Sequence, residues 1–344
     1  MQAFALQVDT LPTGGVLIVA AGMVNAGFTL PLKRMRPWVW ENAWLVWAIT
    51  ALVLFPLLAA VLTIPDLFSI YMQIDKASLF KMCLYGMGWG MAQALLGLAV
   101  ESIGVALGFS IVLGVSAAMG TLIPFIRLHS SLLLTQTGAK LLSGLALVVL
   151  GVGFCAAAGQ GRENELAEKP NRGTGSFKIG LAFALLGGLL ASMMNVGISF
   201  AGPMLKLAAE HGARPIWCAN VIWPPLLAGG AIPNILYCLH LLRKNHGGKH
   251  YIAEKVWLCW LLAVLMGVLW FGGHLLYGMG TSLLGVLGPV VGWPVYMSML
   301  VISASAYGFL SGEWRQVSAR PIRLQLAGIA ILCMAVFMFS QTHS

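Results

Sequence analysis

An all-α integral membrane protein is predicted by three features of this sequence. Hydrophobic residues fill 59% of its 344 positions and charged residues only 9%, whereas a water-soluble domain carries about 25% charged residues. So few charges cannot cover a surface that faces water, so most of the surface must face lipid. The apolar runs are continuous over about 20 residues, enough to cross roughly 30 Å of hydrocarbon at about 1.5 Å per residue. A membrane barrel would instead need alternating segments of about 10 residues. Lipid offers backbone N–H and C=O groups no partners, which leaves helices that close their hydrogen bonds within each span.

Ten spans follow in order, near residues 14–32, 40–64, 80–100, 103–125, 138–159, 178–200, 216–240, 254–278, 288–310 and 322–340. No Lys or Arg precedes the first run and Asp9 does, so it lacks the positive leader of a signal peptide and is read as a retained span. A tight link at Glu101-Ser102 joins the third and fourth spans. Pro56, Pro224, Pro225 and Pro233 fall inside spans and predict kinks there. The bases sort unevenly between the two sides. Lys33, Arg34, Arg36, Arg162, Lys169, Arg172, Lys178, Arg243, Lys244, Lys249, Lys255, Arg315, Arg320 and Arg323 fall in the odd-numbered loops. Lys76, Lys81, Arg127, Lys140, Lys206 and Arg214 fall in the even ones. An excess of Lys and Arg marks the cytoplasmic side, which directs both termini outward across a cell inner (plasma) membrane.

The longest hydrophilic stretch, Gly159 to Lys178, holds Arg162, Glu163, Glu165, Glu168, Lys169, Pro170 and Asn171. It divides the chain into a five-helix repeat over residues 1–160, a cytoplasmic linker over 161–177 and a second five-helix repeat over 178–344. Five spans per half is an odd number, so related halves must be inserted in opposite directions, a common construction in carriers. Internal echoes agree with this. Asn25-Ala26-Gly27 is matched by Asn195-Val196-Gly197, and Arg36-Pro37 precedes Asn42 by the spacing with which Arg214-Pro215 precedes Asn220. The pair Gly104 and Gly108 is matched by Gly288 and Gly292. Each glycine pair is a GxxxG, which lets helix backbones approach.

Composition also narrows the function. The net charge of +9 comes from bases in short loops rather than from a basic stripe interleaved with aromatics, so no nucleic acid is expected. Cys83, Cys155, Cys218, Cys238, Cys259 and Cys333 lie inside or at the edges of apolar runs without metal-clip spacing. They read as small core hydrophobes, with no disulfide, metal or other cofactor expected. HExxH, GxSxG, paired catalytic carboxylates and phosphate loops are missing, so an enzyme is not expected. Charged or carbonyl filter motifs of a channel are missing too. Glycine-rich, proline-broken, Asn-bearing spans suit a carrier of a small polar solute.

Four groups of residues then point to a family: Phe28-Thr29-Leu30-Pro31-Leu32-Lys33 running into Trp38-Val39-Trp40-Glu41; Gly88-Trp89-Gly90 with Gly97-Leu98, Gly104, Gly108, Gly120-Thr121-Leu122 and Pro124; Gly229-Gly230-Ala231-Ile232 with Asn234; and Glu313-Trp314-Arg315 followed by Arg320-Pro321. In this order, over nearly the whole chain, they resemble the L-rhamnose–proton symporter family, a branch of the drug/metabolite transporter superfamily. The resemblance implies ten helices in two inverted halves and import of L-rhamnose or a related monosaccharide with protons. The alternative is another carrier of that superfamily, a sugar facilitator or a metabolite exporter, without proton coupling. The sequence departs from the family pattern over about residues 275–292, which carry no acid here.

A sugar site needs amide and hydroxyl side chains, with an aromatic face for the apolar side of the ring. These groups must face the bundle interior, because facing lipid is costly. Asn25, Gln93, Asn195 and Asn234 are the amide candidates, and Trp89, Trp270 and Tyr296 the aromatic ones. Trp89 and Gln93 are i, i+4 on one helix face. Each of these also fits a plainer role: buried amides hold helices together, and tryptophans, above all Trp38, Trp40, Trp44 and Trp47, mark the membrane interface. For proton coupling the inventory is short. His274 lies within the eighth span, where an imidazole either carries protons or bonds to a neighbour. Glu41 opens the second span and serves either as a coupling carboxylate or as a partner for Lys33, Arg34 or Arg36.

Overall fold

The computed structural model describes residues 2–166, 176–254 and 256–343, with side chains from Leu11 onward. Glu168, Lys169, Pro170, Asn171 and Arg172 of the hydrophilic stretch, and Lys255, lie outside the described residues. Among those described the chain is helical, without strands, and ten helices are long and apolar enough to cross a bilayer. Large apolar side chains such as Leu62, Phe80, Leu236 and Phe337 are exposed, which a bilayer accepts and water would not. The chain is a multi-pass membrane protein.

In chain order the helices are α1 (Gln2–Ala26), α2 (Trp40–Ile49), α3 (Phe55–Thr63), α4 (Leu67–Gln73), α5 (Lys76–Ile103), α6 (Val105–Leu128), α7 (Gln136–Leu166), α8 (Phe177–Ser199), α9 (Gly202–Glu210), α10 (Trp223–Lys244), α11 (Trp257–Leu283), α12 (Gly288–Leu310) and α13 (Ala319–Ser340). They form two compact units. The first comprises Met1–Gly90 and Phe200–Gly285, the second Met91–Ser199 and Val286–Ser344. Each unit therefore draws on both sequence halves.

In the first unit, Gly14, Ile18, Ala21 and Asn25 recur at helical spacing and form the face of α1 that meets α11. A Cβ on Gly273 would sit 2.8 Å from Asn25 Cβ, and one on Gly280 would sit 2.6 Å from Ile18 Cγ1. The smallness of those glycines is what lets α1 reach α11. The α5–α10 contact works in the same way. A Cβ on Gly86 would run into the Leu226 carbonyl oxygen, and one on Gly229 into that of Cys83.

Of the four prolines expected to kink their spans, Pro233 lies inside α10. Between α2 and α3 the helix loosens into a π-turn, Thr50–Leu54, directly before Pro56, which has no N–H to return. Pro224 and Pro225 fall in the first turn of α10, where a missing N–H costs nothing; the seventh span instead begins as a 3-10 turn over Pro215–Val221. Asp75 precedes α5 and accepts the Ser78 N–H at 2.8 Å. Hydrogen bonds from the Ser78 side chain and backbone hold its carboxyl below the usual carboxylate range.

In the second unit α6 packs on α8, and α7 runs along α13. The tight link between the third and fourth spans is Gly104 itself, with φ 90°, a left-handed value open to glycine. Gly104 is thus a turn residue, and Gly108 makes the close approach, against Val100. The hydrophilic stretch does not begin as a loop: α7 continues to Leu166. Three side chains of that last part are engaged. Arg162 pairs with Glu313 at 2.9 Å, Glu163 accepts the Ala106 N–H at 3.0 Å, and Glu165 accepts the Ser318 N–H at 2.6 Å.

The α5–α10 contact yields a prediction. Gly86→Ala forces α5 off α10 and should cost about 1–3 kcal/mol, seen as a lower melting temperature of the detergent-solubilised protein. At Gly97 an added Cβ meets nothing within 4 Å, so Gly97→Ala should melt like the parent. Equal melting temperatures for both variants would reject the close-packing account.

Candidate functional site

Five of the nine candidates gather in the first unit, around Trp270 on α11. The approach of α1 to Gly273 brings the Asn25 side-chain amide within 3.1 Å of the Trp270 carbonyl, to which it donates, and 3.3 Å from His274 Nδ1. His274 lies one helical turn beyond Trp270. Its Nδ1 is 2.9 Å from the same carbonyl, and its ring stacks on the Trp270 indole at 3.9 Å. Nδ1 thus faces both an acceptor, the Trp270 carbonyl, and a donor, the Asn25 amide. Trp89 lies 5.3 Å from Trp270 and is positioned from α10, because Gly230 leaves room for its indole. Asn234 accepts the Trp44 indole N–H at 3.2 Å and returns its own amide to the Gly230 carbonyl at 2.9 Å.

Two tryptophans complete this cluster. Trp47 meets Trp270 edge-on at 5.4 Å, and Trp223 meets His274 edge-on at 5.9 Å. Both are buried, and the indole N–H of each has no hydrogen-bond partner among the described residues. A buried donor without an acceptor costs about 1–3 kcal/mol. The expectation of a membrane interface covers Trp38, Trp40, Trp44 and Trp47, but Trp38 and Trp47 are buried. Trp40 is indeed exposed, whereas Trp47 is 1% exposed; Trp40, Trp44 and Trp47 share a helix face that turns into the unit, each ring touching the next. That i, i+4, i+7 spacing was the legible signal. For Trp223, beside Pro224-Pro225, nothing in the sequence distinguished a buried indole from an interfacial one.

Glu41 is in this unit but apart from the cluster. It is 6% exposed and accepts the Asn245 amide at 2.8 Å. Among the described residues it forms no ion pair with Lys33, Arg34 or Arg36. Its place in the first turn of α2 gives the carboxylate the positive end of the helix dipole.

The remaining candidates lie in the second unit. Asn195 donates its amide to the carbonyls of Gly120 at 2.8 Å and Pro289 at 3.0 Å, which holds α8 to α6 and to the start of α12. Tyr296 is buried beside Trp293, ring to ring at 5.7 Å. Trp293 packs against Gly120 and donates to the Ser116 carbonyl at 3.1 Å. Here too buried polar atoms lack a partner among the described residues, the hydroxyls of Ser116 and Thr121. Gln93 is half-buried and, among the described residues, makes no hydrogen bond. It follows Trp89 by one turn of α5, but the division of the chain assigns the two residues to different units. A groove of about 460 Å³ between α6 and α7 is lined by Leu107, Gly114, Ala118, Val149 and Gly153. It lies about half a turn around α6 from the Trp293 face, and none of the nine candidates lines it.

The first-unit cluster contains no Asp, Glu, Lys or Arg. It offers indole and amide donors, aromatic faces and one imidazole. Such a set suits a neutral ligand rich in oxygen acceptors, with an apolar side for the rings. No group of three or more His, Cys, Asp or Glu able to hold a metal occurs among the described residues.

Comparison with known proteins agrees with that chemistry. Residues 11–341 match the family described as L-rhamnose-proton symport protein (RhaT). The chain is 27% identical to the L-rhamnose-proton symporter of Shigella sonnei over 335 residues, 94% of this chain and 96% of the other. It is 27% identical to the L-rhamnose-proton symporter of Cronobacter sakazakii, covering 94% and 95%, and 26% identical to that of Salmonella paratyphi B, covering 94% and 96%. These relatives are named as transporters, not enzymes. A match of this length makes the chain a member of the L-rhamnose-proton symport protein family.

Proposed function

We propose that this protein imports L-rhamnose or a closely related monosaccharide across the inner membrane by proton symport. The observation that carries the sugar site is the pair of unpartnered, buried indole N–H groups of Trp47 and Trp223 beside Asn25, Trp89, Trp270 and His274. Buried polar groups are nearly always paired, and the hydroxyl oxygens of a pyranose would supply the missing acceptors. The indole faces of Trp89 and Trp270 suit the apolar side of a deoxy sugar. In this state the rings pack on one another, so a pyranose enters only when they part, as in a carrier that alternates between states. Asn234 and Asn195 spend amide protons on protein carbonyls and act mainly as positioning residues, while Gln93 and Tyr296 are read as further sugar-contacting side chains. The second reading, transport without proton coupling, has the scarcity of buried acids in its favour.

Proton coupling falls to the His274 imidazole, with Glu41 as a carboxylate on the path. Both termini face outward, the basic odd-numbered loops lie in the cytosol, and the two sequence halves are inverted repeats. In support, Asn25 and Asn195 each donate an amide to carbonyls of neighbouring helices. A protease-cleavable tag at either end should therefore be cut in intact spheroplasts. Protection of both tags would reverse the orientation.

The direct test is radiolabelled uptake into proteoliposomes with a panel of monosaccharides and an imposed pH gradient. L-Rhamnose should compete best, and an inward proton gradient should accelerate entry. Uptake indifferent to both rejects the symporter reading, and sensitivity to the sugar alone selects the facilitator.

Two variants examine the site in that assay. Trp223→Phe removes a donor that has no protein partner. It should raise the KM about 5- to 20-fold, the worth of one hydrogen bond of about 1–2 kcal/mol, with little change in melting temperature. An unaltered KM would return Trp223 to a packing role. His274→Gln should leave sugar exchange in place but remove its dependence on the proton gradient. Retained dependence would exclude His274 as the proton carrier.

A further inference from the structure

One end of the first unit is a surface made from two loops that hold each other. Trp38 donates its indole N–H to the His250 carbonyl, Asn42 its amide to the Gly247 carbonyl, and Tyr251 its hydroxyl to the Asn42 carbonyl, each at 3.0 Å. The Cys259 thiol reaches the Arg36 carbonyl at 3.5 Å. The rings of Trp38, Tyr251 and Trp260 pack together at 5.0–5.3 Å. These bonds bring Arg34 and Arg36 from the first loop to the same end as Arg243, Lys244 and Lys249 from the other, and all five side chains are exposed. Among the described residues none of the five is in an ion pair. The acids of these loops are Glu41, buried on Asn245, and the exposed Glu254.

In the second unit Arg315, Arg320 and Arg323 are likewise exposed, and one base is matched by an acid. There Arg162 is matched by Glu313 and lies over the Trp314 ring at 5.4 Å, with Glu163 and Glu165 close by in sequence. The basic cluster of the first unit is distinguished by the two bonded loops that gather it at one end. It is also framed by exposed apolar side chains. Trp40 and Trp257 begin α2 and α11, Trp260 follows one turn later, and Ile252 is 87% exposed. Helix starts in a membrane protein mark the boundary between hydrocarbon and head groups, where tryptophan sits. Bases just outside that boundary attract anionic lipid.

We propose that this end of the first unit binds the head group of an anionic phospholipid of the surrounding bilayer. Arg34, Arg36 and Lys249 face the phosphate, and Trp257 and Ile252 lie against the glycerol and upper acyl chains. A soluble anion would use the bases but would gain nothing from those two exposed apolar side chains.

The test is native mass spectrometry of the full chain released from mixed micelles of phosphatidylglycerol and phosphatidylcholine with the same acyl chains. Phosphatidylglycerol should be retained in preference, and its retention should fall about tenfold in R34Q/R36Q/K249Q. The control R320Q/R323Q, with exposed bases in the second unit, should retain it normally. Equal retention of the two lipids by the parent protein overturns the proposal without recourse to any variant. So does displacement of phosphatidylglycerol by inorganic phosphate alone, which would indicate a soluble-anion site. A triple variant that melts like the parent and retains the lipid fully overturns it too.

Discussion

Hydrocarbon gives a polar atom nothing to bond to, and this constraint organises the whole protein. The backbone answers it by being helical wherever it crosses the membrane. The polar side chains answer it by bonding to carbonyls of neighbouring helices: Asn25 to Trp270, Asn195 to Gly120 and Pro289, Trp293 to Ser116. Against this pairing, the buried indole N–H groups of Trp47 and Trp223 and the hydroxyls of Ser116 and Thr121, without partners among the described residues, stand out. Exceptions of this kind need a reason, and a ligand that brings its own acceptors and donors is a reason suited to a transporter family.

The cluster around Trp270 depends on absent side chains as much as on present ones. α1 reaches α11 because Gly273 and Gly280 leave room, and the Trp89 indole lies over Gly230 because α10 has no Cβ there. The Gly229-Gly230 pair, part of the family resemblance, thus has a mechanical meaning. One glycine admits the Cys83 carbonyl and the other seats an aromatic ring of the candidate site.

Much of the fold could be read from the sequence because hydropathy acts span by span, and each span of about 20 apolar residues declares itself without its neighbours. The burial of Asn25 and His274 was legible for a related reason: a polar residue within an apolar span is conspicuous on its own. What escaped notice depends on tertiary partners. Tryptophan suits both the interface and the interior, so the burial of Trp47 and Trp223 is settled only by what packs around them. The end of α7 looked like a loop because it is rich in charge and glycine. It is helical because Arg162, Glu163 and Glu165 each find a partner far along the chain. Pro224 and Pro225 looked like breaks in a span whose α-helix in fact starts beside them.

The Trp270 carbonyl oxygen receives two donors, the Asn25 amide and the His274 ring. An oxygen shared in this way makes the two side chains rivals as well as neighbours. When one donor is withdrawn, the other gains a less crowded acceptor and can shorten its bond. Losses at the two positions should therefore not sum, since residues that share a partner are coupled energetically. Asn25 and His274 form one linked contact divided between two helices, so a change in the hold of α1 on α11 would reach the imidazole without touching it.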